Sequence, residues 1–240
     1  LAGEMARACG LAVPEIVFMQ LDADLARTEP DPEIQDLIRA SDGLNLGVDF
    51  LPGALPYSPA APPDPDLAAA VVWLDALVEN VDRTPRNANL LMWHRKLWLI
   101  DHGAALYFHH GWGNGSDASA NTFPAIKDHV LLKFASALAE ADAAMTARIT
   151  PALIREIVAL VPDAWLATDK AYDRSPGVAV RFGPPGVLDG LGGGRIHQGD
   201  AARDVALEFF GQSRQDHGSV VCVHVREDQR DGLGVLVQQE

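Results

Sequence analysis

The chain has 240 residues and a formal net charge of −14, with 48% hydrophobic and 22% charged residues. These are globular proportions, with material for one substantial core or two small ones, and so acidic a surface argues against nucleic acid or a membrane as a general partner. Cys9 and Cys222 lie far apart and form no metal or redox motif, and neither a signal-peptide pattern nor a membrane-length apolar run is visible, so a reduced, cytoplasmic protein is expected.

Leu1 to Cys9 has helical spacing, with Leu1, Met5 and Ala8 on one face and Gly10 as its stop. Glu4 on that helix reads as a solvated acid. Leu11 to Leu21 is strand-like, with a β-branched and aromatic middle. Asp31 and Pro32 open a helix that runs to Ala40, the Asp as N-cap and the Pro at the first helical position. Leu44 to Leu55 reads as a strand ending in a Pro-Gly turn. Five prolines in the ten residues from Pro56 to Pro65 make a stiff connector. Asp64-Pro65 then caps a helix on which Leu67, Val71, Leu74 and Val78 mark one core face.

The stretch from Asp75 to Phe108 carries the chemistry. A polar loop, Val81 to Asn89, is followed by two short apolar runs, Leu90 to Trp93 and Leu97 to Ile100, joined by His94-Arg95-Lys96. The second run ends in Ile100-Asp101-His102-Gly103. A loop Asp, an Asn five residues on, a hairpin and a second Asp at a strand end is a recurring way to build a phosphoryl-transfer site. The loop acid orients the acceptor hydroxyl, and the Asn and second Asp hold magnesium. Magnesium takes hard oxygen ligands and keeps several waters, so a carboxylate or two and an amide oxygen suffice. Asp82 and Asp101 supply the carboxylates and Asn87 the amide, with Asn89 as a second candidate. Arg83 and Arg86 are placed to meet an anionic substrate or nucleotide, or to hold the loop closed.

Asn80 to Leu91 (NVDRTPRNANLL) followed by Leu97 to Gly103 (LWLIDHG) resembles the catalytic and metal-binding loops of the HipA-like kinases, a branch of the protein-kinase-like fold akin to the phosphoinositide kinases. The resemblance implies an α+β fold with a partial small lobe and a mainly helical large lobe. It implies ATP and Mg2+ as cofactors, Asp82 as catalytic base, Asn87 as metal ligand, and Asp101 as counterpart of the metal-binding Asp of the DFG motif. The implied reaction moves the ATP γ-phosphoryl group to a hydroxyl, on a protein Ser or Thr, with a protein as substrate or partner. Two departures stand out: no His-Arg precedes Asp82, and His102 replaces the DFG Phe. The organisation expected is a partial small lobe and hinge over 1–55, the connector over 56–65, a helical catalytic lobe over 66–168 and a Gly/Pro-rich tail over 169–240.

Beyond Asp101, His109, His110 and Trp112 lack zinc-motif spacing and read as loop residues, with Gly111 to Gly115 as a segment able to cover the site. Helices are expected from Ile126 to about Ala167, with His129 as a buried, hydrogen-bonded core residue. The tail offers a helix at Asp200 to Phe210 and a strand at Ser219 to Val225. No Lys precedes Lys96, whereas kinases of this fold carry a nucleotide-binding Lys on an early strand. The chain is therefore expected to be an N-terminally truncated copy, or a pseudokinase acting as a toxin-antitoxin-like interaction module. A metal-dependent hydrolase is a further reading, and it requires His102 or His109 to converge on the metal with the carboxylates.

Overall fold

The computed structural model describes residues 1–106, 123–166, 221–228 and 232–239. His109, His110, Trp112, the stretch 111–115 and the helix expected at 200–210 lie outside the described residues. Along the chain come α1 (Ala2–Ala8), β1 (Ile16–Leu21), α2 (Pro32–Ala40), β2 (Gly43–Asp49), β3 (Leu55–Pro56) and α3 (Pro65–Leu77). The hairpin β4 (Leu90–Trp93) and β5 (Lys96–Leu99) follows, then α4 (Leu138–Arg148), α5 (Pro151–Val158), α6 (Asp163–Leu166), β6 (Val221–Asp228) and β7 (Gly232–Gln239). The result is a mixed α and β fold with two small sheets, ordered β1-β2-β6-β7 and β3-β4-β5.

β1 and β2 pair antiparallel from Ile16↔Val48 to Leu21↔Gly43. β6, where the sequence reads as a strand, joins β2 in parallel through Gly47↔Val223, and β7 pairs antiparallel on its far side. In the hairpin that follows the polar loop, Trp93 pairs with Lys96 across a two-residue turn whose His94 and Arg95 have φ of 47° and 65°. Positive φ at both central residues is what a turn matching the strand twist requires. His94 stacks on Trp93 with centroids 4.0 Å apart, one local compensation for a conformation that Asn-Gly would adopt more easily. Trp93 Nε1 donates to the Pro52 carbonyl at 2.9 Å, tying the hairpin to the segment after β2.

α3 is the centre of the core. Asp64 caps it, its Oδ1 accepting from Asp66 N–H at 2.9 Å and Leu67 N–H at 3.4 Å. The one-sided burial expected for this helix is wrong: every residue from Ala68 to Ala76 is buried. Ala68, Ala69, Ala70, Val72 and Ala76 fill the faces between the larger residues, and a helix apolar all round is buried all round. α1 contributes Met5 and Ala6 to the same core, and α4 approaches closely enough for Trp73 Nε1 to donate to Asp142 at 2.7 Å.

A second correction concerns the segment from Ile126 to Leu131. In place of an α-helix there are two 3-10 turns, Pro124–Asp128 and Leu132–Phe134, one at each end of the segment. His129 separates them with extended backbone (φ −65°, ψ 130°), and its ring takes the Leu131 N–H that a helix would need. α5 begins as expected, with Thr150 Oγ1 accepting from Leu153 N–H at 3.2 Å.

Candidate functional site

The last buried turn of α3 carries a carboxylate into the core. Asp75 is wholly buried, where an acid persists only among partners. Its Oδ2 accepts from Arg83 Nε at 2.6 Å and from His129 Nε2 at 2.9 Å, and its Oδ1 accepts from Asn80 Nδ2 at 3.0 Å. His129 Nδ1 accepts from Leu131 N–H at 3.0 Å, so the ring's donor is Nε2, aimed at Asp75. Burial pushes the Asp75 carboxyl up, but Arg83, His129 and Asn80 outweigh it and hold it down at about 2. The acid is ionised at neutral pH.

Two paths run from this anchor to Asp82. Along the first, Asn80 holds Asp75 with its amide N–H while its Oδ1 accepts from the Asp82 N–H at 3.2 Å. Along the second, Arg83 Nη1 donates to the carbonyls of Ala88 and Asn89. Asn89 Nδ2 then donates to Asp82 Oδ2 at 3.1 Å. Asn87 Nδ2 reaches the same oxygen at 2.7 Å. Between them the Thr84 N–H is shared by the Asp82 and Asn87 carbonyls, at 2.8 and 2.9 Å, which closes the loop into a tight turn. The loop acid is thus held through its backbone and its side chain by one buried ion pair.

Asp101 arrives at this loop from β5. The Ile100 N–H donates to the Asn89 carbonyl at 3.1 Å, so the residue before Asp101 is bonded to the residue that grips Asp82. Asp101 sits at φ 48° and Asn89 at φ 47°, a region that Asp and Asn tolerate better than other side chains. Asp101 Oδ1 accepts from Gly103 N–H at 3.1 Å, a local bond that fixes the turn after the strand. Behind it, α1 packs so closely that a Cβ on Gly3 would lie 2.8 Å from Ile16 Cδ1 and 3.8 Å from His102 Nδ1.

The sequence candidates separate by position. Asp82, Asn87, Asn89 and Asp101 are gathered around one loop, and their oxygens are the hard donors that magnesium takes. Asn87 and Asn89 both spend an amide N–H on Asp82, and each carries an Oδ1 besides. Among the described residues no group of three or more His, Cys, Asp and Glu could hold a metal ion. Arg83 is buried and points inward to Asp75 and the loop carbonyls, which is the work of a clasp and not of an anion contact. Arg86 is exposed at the tip of the loop. Among the described residues His102 joins no cluster of acids that could hold a metal ion, which the hydrolase reading requires. Its Nε2 is buried with no hydrogen-bond partner among the described residues, and burial pushes its pKa down to about 4. Glu4 meets Arg7 at 3.7 Å on α1 and is half-buried at the helix surface.

Residues 1–180 match the family model of the HipA-like kinases. The chain belongs to that family. No curated protein and no solved structure matches it. Kinase activity in the broad sense, with use of a nucleotide and a metal, is what membership carries. The match in this HipA-like chain takes in α3, the polar loop, the hairpin and Asp101, and ends before β6 and β7. Asp75, Asn80 and His129, which hold the loop, escaped the sequence reading as site residues. One signal was available: a charged residue inside the apolar run of α3, with an Arg eight residues on to pair with it.

Proposed function

We propose that this HipA-like chain transfers the γ-phosphoryl group of ATP to the hydroxyl of a Ser or Thr on a protein, with Asp82 as base and Asp101 and the Asn87/Asn89 pair as ligands of Mg2+. The observation that carries the reading is the double amide grip on Asp82 Oδ2, which leaves Oδ1 to meet an acceptor hydroxyl. Phosphoryl transfer asks mainly for position, so a carboxylate fixed through its backbone and side chain suits the task. In the proposed step the acceptor oxygen bonds to the γ-phosphorus as the bond to the β–γ bridging oxygen breaks. ADP leaves with that electron pair, and the acceptor proton passes to Asp82. Magnesium, when bound, neutralises charge on the phosphates. The wider arrangement proposed is a small lobe carrying β1 and β2 and a helical lobe around α3, with the segment between Asp49 and Pro65 as hinge and connector.

Calorimetric titration of Mg-ATP and radiometric transfer to protein acceptors test this together. Asp82→Asn is expected to remove at least about a hundredfold of transfer, the scale of a positioned proton acceptor, with Mg-ATP binding retained. Asp101→Asn is expected to weaken the magnesium-dependent binding itself. Small and equal effects of both substitutions would sink the site assignment. Binding without transfer to any acceptor would favour the interaction-module reading.

A further inference from the structure

A groove of about 440 Å³ opens beside the loop, with Pro59, Pro85, Val130 and Leu132 as its apolar wall and Lys127 and Lys133 at its rim. Pro85 follows Asp82 by three residues, so the groove starts within about 10 Å of the loop acid along an extended backbone. Its apolar wall is bonded to the loop, since the Val130 N–H donates to the Arg83 carbonyl at 3.0 Å. The His129 ring beneath is held by Asp75, so groove and loop acid share one anchor.

The charge of the groove runs against that of the chain. With a net charge of −14 and only four lysines, the chain places two of the four here, and Arg86 is exposed next to Pro85. Asp128 is the one acid among the described lining residues, where the lysines are in excess. Neither lysine is in an ion pair with a described residue, and Lys133 Nζ lies 4.8 Å over the Phe134 ring, which holds it in place without neutralising it. An apolar slot with unpaired cations on its rim suits an extended segment that offers both a side chain and carboxylates.

We infer that this groove seats an acidic segment of the protein acceptor, with Asp or Glu within about four residues of the hydroxyl presented to Asp82, the span an extended chain covers from Pro85. The inference rests on the kinase reading and deepens it by naming the acceptor's chemistry. Lys127 and Lys133 set specificity and take no part in the transfer.

The test uses short peptides with one Ser flanked by Asp and Glu, by Lys and Arg, or by Ala and Gln, and a copy of the acidic peptide with Ala for Ser. Binding to the full chain is followed by fluorescence anisotropy and transfer by radiolabel, for the native chain, K127E/K133E, and R27E/R39E. The last changes net charge equally at Arg27 and Arg39, which are exposed and do not line the groove. The acidic peptides are expected to bind and react best, and K127E/K133E to weaken that binding about tenfold or more, because attraction at both sites becomes repulsion. R27E/R39E is expected to change it less than about twofold, and rising salt to weaken binding to the native chain. Transfer without preference for acidic peptides, or equal effects of the two double variants, overturns the inference and leaves the kinase standing. Lysine-dependent binding of the Ala-for-Ser peptide with no transfer to any peptide overturns the kinase reading and retains the groove. Full competition by inorganic phosphate makes the groove a plain anion site and overturns the peptide assignment. Self-association abolished by K127E/K133E points to a second copy and overturns it as well.

Discussion

Asn87 and Asn89 grip one oxygen of Asp82, but they differ in what else they hold. Asn87 is exposed and gives its side chain to Asp82 at 2.7 Å, with backbone bonds only to Thr84. Asn89 is half-buried, sits at φ 47°, and its carbonyl accepts from Arg83 and from the Ile100 N–H that precedes Asp101. Asn87→Ala therefore removes one exposed bond and a proposed metal ligand, and folding stability should move by less than about 1 kcal/mol. Asn89→Ala adds the cost of a non-Gly, non-Asn residue in the left-handed region, and should destabilise by about 2 kcal/mol in urea denaturation. Asn89→Gly should recover most of that strain but none of the side-chain bond. If Asn87→Ala loses transfer while keeping full stability, Asn87 is the metal-side amide; the same result for Asn89→Gly would assign it to Asn89. An Asn87→Ala chain as destabilised as Asn89→Ala would contradict this division of labour.

At the scale of elements, the junction of α3, the polar loop and the His129 turn behaves as one unit held by Asp75. Asp75→Ala would leave the Arg83 guanidinium buried without a counter-charge, and loss of one partner from a buried pair costs about 3–5 kcal/mol. A marginally stable domain loses much of its stability at that cost. Asp75→Asn keeps shape and two hydrogen bonds, so its loss should be smaller, and thermal unfolding of the two variants should rank them in that order. Equal midpoints for both variants and the native chain would remove Asp75 as the anchor. This junction also marks where sequence reasoning stopped. The hairpin, the Asp31, Asp64 and Thr150 caps, and the nearness of Asn87 to Asp82 were legible because turn chemistry and short-range spacing carry them. The Asp75–His129 contact spans fifty-four positions, and no local pattern announces it. For the same reason the segment around Ile126 reads as a helix by apolar spacing, while in the fold the His129 ring, turned towards Asp75, takes the Leu131 N–H and breaks it. The spacing of the largest residues of α3 predicts one buried face, and its alanines complete the apolar surface on the others.

At the scale of the whole molecule, Asp75, His102 and Glu79, three buried or half-buried groups among the described residues, shape stability on the acid side of neutrality, and their signs differ. Asp75 is held below its ordinary 3.8 at about 2, so its contribution is complete above about 3.8 and drains away as pH falls towards 2. His102 is pushed by burial from 6.5 down to about 4, so protonation penalises the folded state and stability falls as pH drops from 6.5 towards 4. Glu79, at φ 50° beside the end of α3, is raised by burial from 4.5 to about 7, so stability is highest below 4.5 and falls as pH rises to 7. Between about pH 4.5 and 6.5 the last two slopes oppose each other, and the native chain should show a shallow profile there above a steep acid loss below pH 4. Single substitutions unmask the opposing parts. Glu79→Gln should leave a curve that rises with pH up to about 6.5 and then levels. His102→Phe should leave one that falls from about 4.5 to 7, and should lie higher throughout because it removes a buried ring nitrogen with no partner among the described residues, at a gain of about 1 kcal/mol. Urea midpoints measured across this range with magnesium chelated give the profiles directly, and unchanged slopes in both variants would place the pH response elsewhere in the chain.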